Sequence, residues 1–184
     1  MIRAGEILEN PVNHIQMVFI TTSENSQEDL LVYDVLMPPA LEVPYGDHMH
    51  LAQEQRAQII SGIACYRLRG VEYKAARGDK IVFPRGISHV DPWNAGEAEL
   101  RYRLLFEPGR TAEAAFETAL HLLRDGKFRK DGSFNLLENA LILQESGFET
   151  YFVGAPIGLQ RVLIPCFALI ARLLGYHANP TVIL

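Results

Sequence analysis

Two stretches of sequence decide the fold of this chain. They are His48-Met49-His50-Leu51-Ala52-Gln53-Glu54-Gln55 and Pro84-Arg85-Gly86-Ile87-Ser88-His89. Residues two apart in an extended strand share one face, so the imidazoles of His48 and His50 point the same way. Three neutral imidazoles that converge from separate strands form an ordinary site for a divalent first-row metal. The HxH and PxGxxH spacing therefore predicts a metal site that includes His48, His50 and His89.

A β-rich region surrounds these two stretches. Short segments rich in Val, Ile, Tyr and Phe, typical of strands, alternate with turns that contain Asn, Asp, Gly and Pro. Many short strands at this spacing indicate a sandwich or a barrel. The predicted strands, besides the one with His48 and His50, are Met17–Thr22, Leu31–Met37, Gln55–Ser61, Ala64–Leu68, Lys80–Phe83, His89–Trp93 and Leu100–Phe106.

The hydrophobic spacing becomes helical after Pro108-Gly109. Thr111 is expected to cap the first helix, and Asn135 with Glu138 has the pattern of a capping box at the start of the second. The predicted helices cover residues 111–125, 135–147 and 156–175. We therefore expect a β domain over 1–109 and a helical C-terminal extension over 110–184.

The two histidine stretches resemble the two motifs of the cupin superfamily, G-x5-HxH-x3/4-E-x6-G and G-x5-PxGxxH-x3-N. The matching residues are His48, His50 and Gly62 in the first motif, and Gly78, Pro84, Gly86 and His89 in the second. The resemblance covers about residues 5–108. It implies a mainly β fold, an antiparallel cupin barrel (a double-stranded β-helix or jelly roll), followed by an α-helical C-terminal region.

Three positions depart from the family pattern. Glu42 stands where the first motif has its leading glycine. Trp93 stands where the second motif has its asparagine, and Asn94 follows it. The family's fourth ligand is a glutamate, and the corresponding residue of this chain is either Glu54 or Gln55.

Two observations favour Gln55 over Glu54 as the fourth ligand. Counting back seven positions from Gly62 reaches Gln55. The opposite strand phase would also bury Glu54 and Arg56 inside the barrel, where unpaired charge is costly. A neutral amide ligand leaves the ion its full charge, so the site should favour an anionic or enolisable molecule and lack a carboxylate general base.

Three further side chains are candidates for the pocket wall. Asp91 and Trp93 share the strand parity of His89, so Asp91 would orient a ligand if that face points inward. In the alternative interpretation, Pro92 breaks the alternation and leaves Asp91 in a turn. Tyr66 either lines the pocket or belongs to the core.

Composition argues against several functional classes. The 184 residues include 17 Lys and Arg against 22 Asp and Glu, a net charge of −5, which leaves no basic surplus for nucleic acid. The longest apolar run, Val162–Ala171, is half of the about 20 residues that a membrane span needs. Cys65 and Cys166 lack CxxC spacing, so we expect reduced, buried thiols in a cytoplasmic protein without a signal peptide.

The last predicted helix is apolar, and Arg161 and Arg172 lie on one of its faces. Pro165 is expected to kink or split it. We expect the 156–175 segment to be buried against the barrel or across the two-fold axis of a homodimer. The alternative is peripheral contact with a membrane surface.

The family resemblance implies a metal-dependent enzyme that acts on a small molecule and binds Fe, Mn, Ni or Zn. A quercetinase-like dioxygenase is the leading example. Barrels of this family also include isomerases, lyases and binding proteins, so fold alone does not decide the reaction. The alternatives are a non-catalytic binding or sensor module with a degenerate metal site, and a structural interaction protein.

Overall fold

The computed structural model describes residues 2–39, 41 and 46–177. Within these residues the chain forms two antiparallel sheets and three helices, which confirms the predicted fold class, a mainly β barrel with a helical C-terminal region. Glu42 and the residues of the predicted extension beyond 177 lie outside the described part. The strands are β1 Ile7–Glu9, β2 Gln16–Thr21, β3 Leu31–Met37, β4 His48–His50, β5 Glu54–Ser61, β6 Ile63–Leu68, β7 Val71–Ala76, β8 Lys80–Phe83, β9 His89–Asn94, β10 Leu100–Glu107 and β11 Thr150–Phe152.

The strands form two sheets that enclose one core. The larger sheet has the order β1-β2-β3-β10-β5-β8, and the smaller has the order β11-β4-β9-β6-β7. Alternation along β10 buries Tyr102, Leu104 and Phe106 and leaves Arg101 and Arg103 outside. The barrel interior is therefore apolar except where the histidines enter it.

Each of the seven predicted strands is present within one residue of its expected ends. Three strands were not predicted: β1, β7 and β11. The residues of β7 are almost all exposed and include charged side chains, because this strand lies at the edge of the smaller sheet. Its sequence alternates apolar and polar residues from Val71 to Ala75, so this strand could have been predicted from its pattern.

The helices are α1 Arg110–Arg124, α2 Leu136–Ser146 and α3 Ile157–Leu173. The capping box of α2 is present between Asn135 and Glu138. The prediction for Thr111 was wrong, because Gly109 is the N-cap of α1 and the Thr111 hydroxyl accepts a hydrogen bond from Gln53. A Cβ at position 109 would lie 2.2 Å from a backbone nitrogen of the neighbouring chain segment, so only glycine fits there.

Helix α3 packs mainly against α2, and near its start Gln160 and Arg161 also form hydrogen bonds with β11. It is continuous through Pro165, so the proline does not split it. Its buried residues are small or polar, while its outer face leaves large apolar side chains exposed. The expected burial of this helix on its own barrel is therefore wrong. Cys166 is on the exposed side, which corrects its expected burial, whereas Cys65 is buried, and both are free thiols.

No helix in residues 2–39, 41 and 46–177 combines the length and the apolar character that crossing a bilayer requires.

Asp34 is a buried carboxylate on β3 that binds two arginines of the adjacent strand β10. Its Oδ2 accepts a hydrogen bond from Arg101 Nη2 at 2.7 Å, and its Oδ1 accepts one from Arg103 Nε at 2.7 Å. Burial alone would raise the pKa of Asp34, but hydrogen bonds and charge from Arg103 and Arg101 hold that pKa below its ordinary value. This cluster joins the two central strands of the larger sheet.

We expect Asp34→Asn to lower the free energy of unfolding by about 1–3 kcal/mol at pH 7. The uncharged amide has only one acceptor oxygen for the two guanidinium groups and lacks the negative charge that attracts them. Because the pKa of Asp34 is lowered in the native state, its contribution is present above about pH 4 and is lost as the pH falls further. Urea unfolding at pH 7 and at pH 3 measures both effects.

The control is Glu54→Gln, which removes one partner of the exposed ion pair with Arg56. It should cost less than about 1 kcal/mol. An equal loss of stability in the two variants would contradict the assigned role of Asp34.

Candidate metal centre

Three histidines from two adjacent strands meet inside the barrel. His48 and His50 are the first and last residues of β4, and His89 begins β9, where it lies directly opposite His48. All three are buried, and their candidate ligand atoms lie within 4.8 Å of one another. The HxH and PxGxxH stretches thus form one cluster that could hold a metal ion.

Backbone carbonyls orient two of the imidazoles. Nδ1 of His48 lies 3.0 Å from the carbonyl oxygen of Gly46, and Nδ1 of His89 lies 3.0 Å from that of Ile87. A carbonyl oxygen can only accept, so Nδ1 donates in both rings. The neutral rings therefore keep the lone pair on Nε2, which is the form that binds a metal.

The C-terminal region orients the third imidazole. Strand β11 pairs with β4 so that Thr150 lies opposite His50, and the Thr150 hydroxyl is 2.9 Å from Nδ1 of His50. The ring of Phe148 stacks on His50 with a centroid distance of 4.8 Å. Both contacts were missed from the sequence, where the β-forming run Thr150-Tyr151-Phe152 is the only signal for them.

Gln55 is fully buried on β5 and faces the histidines. Its Oε1 lies 3.1 Å from Nε2 of His50 and 3.1 Å from Nε2 of His89. Its amide nitrogen donates a hydrogen bond to Oδ1 of Asp91 at 2.5 Å. Because this bond engages the NH2 group, the oxygen side of the amide is the side that faces the imidazoles.

The chemistry of these atoms fits a divalent cation. The Nε2 of His89 and the Oε1 of Gln55 are both acceptors, and they face each other at 3.1 Å without a proton to share. A positive ion between them would satisfy both lone pairs. Three imidazoles and one amide oxygen are donors that suit Fe, Mn, Ni and Zn.

Burial favours the neutral form of two of the imidazoles, those of His50 and His89. Burial, and then the neighbouring charges of His48 and His89, lower the pKa of His50 well below its ordinary value. Burial also lowers the pKa of His89, although the Asp91 carboxylate opposes the shift. The lowered pKa values of His50 and His89 favour the unprotonated form that a metal requires.

Glu54 lies away from the histidines and forms an ion pair with Arg56 on the outer side of β5. Asp91 supplies the nearest carboxylate, and its Oδ1 is 4.0 Å from Nε2 of His89. The expectation that this site lacks a carboxylate was therefore wrong. The strand parity that Asp91 shares with His89 indicates its inward position, and its carboxylate lies beside the amide of Gln55.

The other two pocket candidates lie outside the cavity wall. Tyr66 stacks on Tyr73 at a centroid distance of 5.3 Å and contacts the edge of Phe83. Phe83 in turn stacks on His89, so Tyr66 contacts the site indirectly, through Phe83. Trp93 is half-buried against the barrel core, opposite Cys65 on β6.

A cavity of about 190 Å³ opens from the histidine cluster. His48, His50, Asp91 and Thr150 line its inner end. The rest of its wall comes from the larger sheet and from α1, α2 and the segments that flank α2. The C-terminal region therefore encloses the approach to the candidate metal centre.

No protein-family model and no curated protein matches the chain by sequence. Solved structures that resemble it include a protein described as a predicted oxalate decarboxylase from Thermotoga maritima, with 20% identity, a TM-score of 0.48, and coverage of 58% of this chain and 96% of that chain. An RmlC-like cupin from Shewanella frigidimarina has 17% identity and a TM-score of 0.44, with coverage of 58% and 86%. KdgF from Halomonas sp. has 18% identity and a TM-score of 0.44, with coverage of 55% and 84%.

At identities of 17–20%, the likeness concerns the fold and not the activity.

We expect Thr150→Val to weaken Zn²⁺ binding by about 10- to 100-fold, because it removes the hydroxyl that orients His50 without changing the side-chain size. Thr150→Ser retains the hydroxyl and should bind Zn²⁺ as the natural chain does. Calorimetric titration of metal-free protein measures both affinities. Equal affinities for the Val and Ser variants would show that the hydroxyl does not position the ring.

Proposed function

We propose that this chain is a metal-dependent enzyme that acts on a small molecule, with His48, His50, His89 and Gln55 as metal ligands. The facing acceptors on Gln55 and His89 are the observation that carries the proposal. A divalent metal bound there would act as a Lewis acid toward a hydroxyl or carbonyl oxygen.

In this proposal, Asp91 accepts a proton from the substrate. Asp91 is the only acidic residue among the described residues that line the cavity. Gln55 engages its Oδ1, so we assign Oδ2 as the proton acceptor. A substrate hydroxyl, or an acidic C–H beside a carbonyl, would lose its proton to this atom in the first step.

A quercetinase-like dioxygenase is one reaction of this class, because an enolic hydroxyl must lose its proton before it reacts further. Isomerases and lyases also begin by removing a proton, so the proposal specifies this step and not the product. The second candidate is a binding or sensor module, which the same buried cluster would serve without turnover.

Elemental analysis of protein purified without chelator tests the metal site. We expect close to one divalent transition-metal ion per chain, and a large loss of metal in His89→Gln because one of three imidazole ligands is removed. His121→Gln alters a histidine on α1 outside the cluster and should retain the metal. Metal-free natural protein, or equal metal content in the two variants, would refute the metal site.

We also propose a cytoplasmic location, which rests on the free thiols of Cys65 and Cys166 and on their unpaired spacing in the sequence.

The outer face of α3 supports our further proposal that the chain forms a homodimer. Val162, Leu169 and Leu173 are each more than half exposed on this face. The only charged residues of the helix are engaged elsewhere, since Arg161 contacts Tyr151 and Glu149, and Arg172 binds Glu145. An apolar face without free charge can pack against the same face of a second chain. Binding to an anionic membrane surface would instead be favoured by unpaired Lys or Arg side chains on this face.

Leu169→Glu should convert the dimer to a monomer, because it places a charge in the centre of the proposed interface. Leu136→Glu changes an equally exposed leucine on α2 and should leave the dimer intact. Light scattering of the full chain measures the mass. A monomeric natural chain would refute the dimer, and flotation of that chain with liposomes would favour the membrane-surface alternative.

A further inference from the structure

We infer that the substrate is a compact apolar molecule, about one ring in size, with a single oxygen-donor end and no second charge. The inference rests on the proposed function, because the oxygen-donor end is the part that would meet the metal centre. It is carried by the size, the composition and the hydrogen bonding of the cavity wall.

The size of the cavity limits the substrate to about one ring. The cavity has a volume of about 190 Å³. An engineered apolar cavity of about 150 Å³ binds benzene, so this one has room for a ring with a small substituent. A flavonol has three rings and would extend beyond this volume. A quercetinase-like reaction in this chain would therefore act on a smaller enolic or phenolic compound.

The wall beyond the histidines offers no partner for a second charge. Val35 and Leu104 line it from the larger sheet, Ala115 and Ala119 from α1, and Ile142 from α2. No Lys or Arg occurs among the described residues that line it. A phosphate or a second carboxylate would lose its water there without gaining a cation, so the wall disfavours phosphorylated sugars and dicarboxylates.

Two amide side chains in the wall are already engaged by the protein. The Nδ2 of Asn10 donates to the carbonyl of Gly132 at 2.8 Å, and its Oδ1 accepts from the amide of Val12 at 3.0 Å. The Nδ2 of Asn139 donates to the carbonyl of Phe134 at 2.9 Å. Asn10 thereby links the loop before α2 to the barrel, and both amide groups are engaged within the protein.

Two catechols of similar size test the inference on the full chain loaded with Zn²⁺. 4-Methylcatechol has an apolar group opposite its hydroxyls, whereas 3,4-dihydroxybenzoate has a carboxylate there. Calorimetry should show at least about tenfold tighter binding of 4-methylcatechol, because the cavity cannot compensate the buried carboxylate. Tighter binding of the benzoate, or no binding of either catechol to the Zn²⁺-loaded chain, would overturn the inference alone. A chain that binds no Zn²⁺ would overturn the proposed function, and the inference with it.

A matched pair of helix variants tests the position of the apolar end. Ala119→Leu adds volume to the cavity wall and should weaken 4-methylcatechol binding at least about tenfold while the Zn²⁺ affinity stays the same. Ala114→Leu lies on the same helix outside the lining and should change neither affinity. Unchanged 4-methylcatechol affinity in Ala119→Leu would show that the substrate does not reach α1.

Discussion

The candidate site depends on holding imidazole lone pairs toward one point, and for His48 and His89 the protein meets this constraint from the opposite side of the ring. The carbonyls of Gly46 and Ile87 cannot donate, so they force Nδ1 of His48 and His89 to do so. The same carbonyls turn the rings into the barrel. The pairing of β4 with β9 then brings the two strands close enough for the lone pairs to converge.

Gln55 and Asp91 are hydrogen-bonded to each other, and the negative charge of the pair lies on Asp91 and not on the residue that faces the histidines. A glutamate at position 55 would face Asp91 across a hydrogen-bond distance, and two carboxylates so close cannot both ionise easily. With glutamine, the amide oxygen turns to the histidines and the carboxylate keeps its charge beside them. The overall charge near the ion is thus similar to that of a glutamate-ligated site, but the carboxylate is left available for the substrate.

Sequence reasoning succeeded where the decisive relation was local. Strand parity alone brings His48 and His50 to one face and distinguishes Gln55 from Glu54. The motif glycine Gly62 also has a local reason, because its φ is +86° and a Cβ there would lie 2.8 Å from the carbonyl oxygen of Glu99.

The contacts that could not be predicted join distant parts of the chain. Thr150 is 100 positions from His50, and the strand that carries it has only three residues. Asp91 on β9 and Gln55 on β5 belong to different sheets, so their contact depends on how the two sheets pack, which no local pattern indicates. For α3, periodicity indicates an apolar helix but does not say which of its faces a neighbour covers.

The pairing of β11 with β4 makes metal occupancy and the docking of the C-terminal region thermodynamically linked. Thr150 and Phe148 contact His50, so they would contribute to the affinity of an ion that binds His50. By linkage, binding of the ion would stabilise the docked segment by the same free energy. Detaching that segment would leave β4 as an open sheet edge. Residues 1–109 alone would lack the contacts of Thr150 and Phe148 with His50, and protection of β11 from hydrogen exchange should rise when a metal binds the proposed centre.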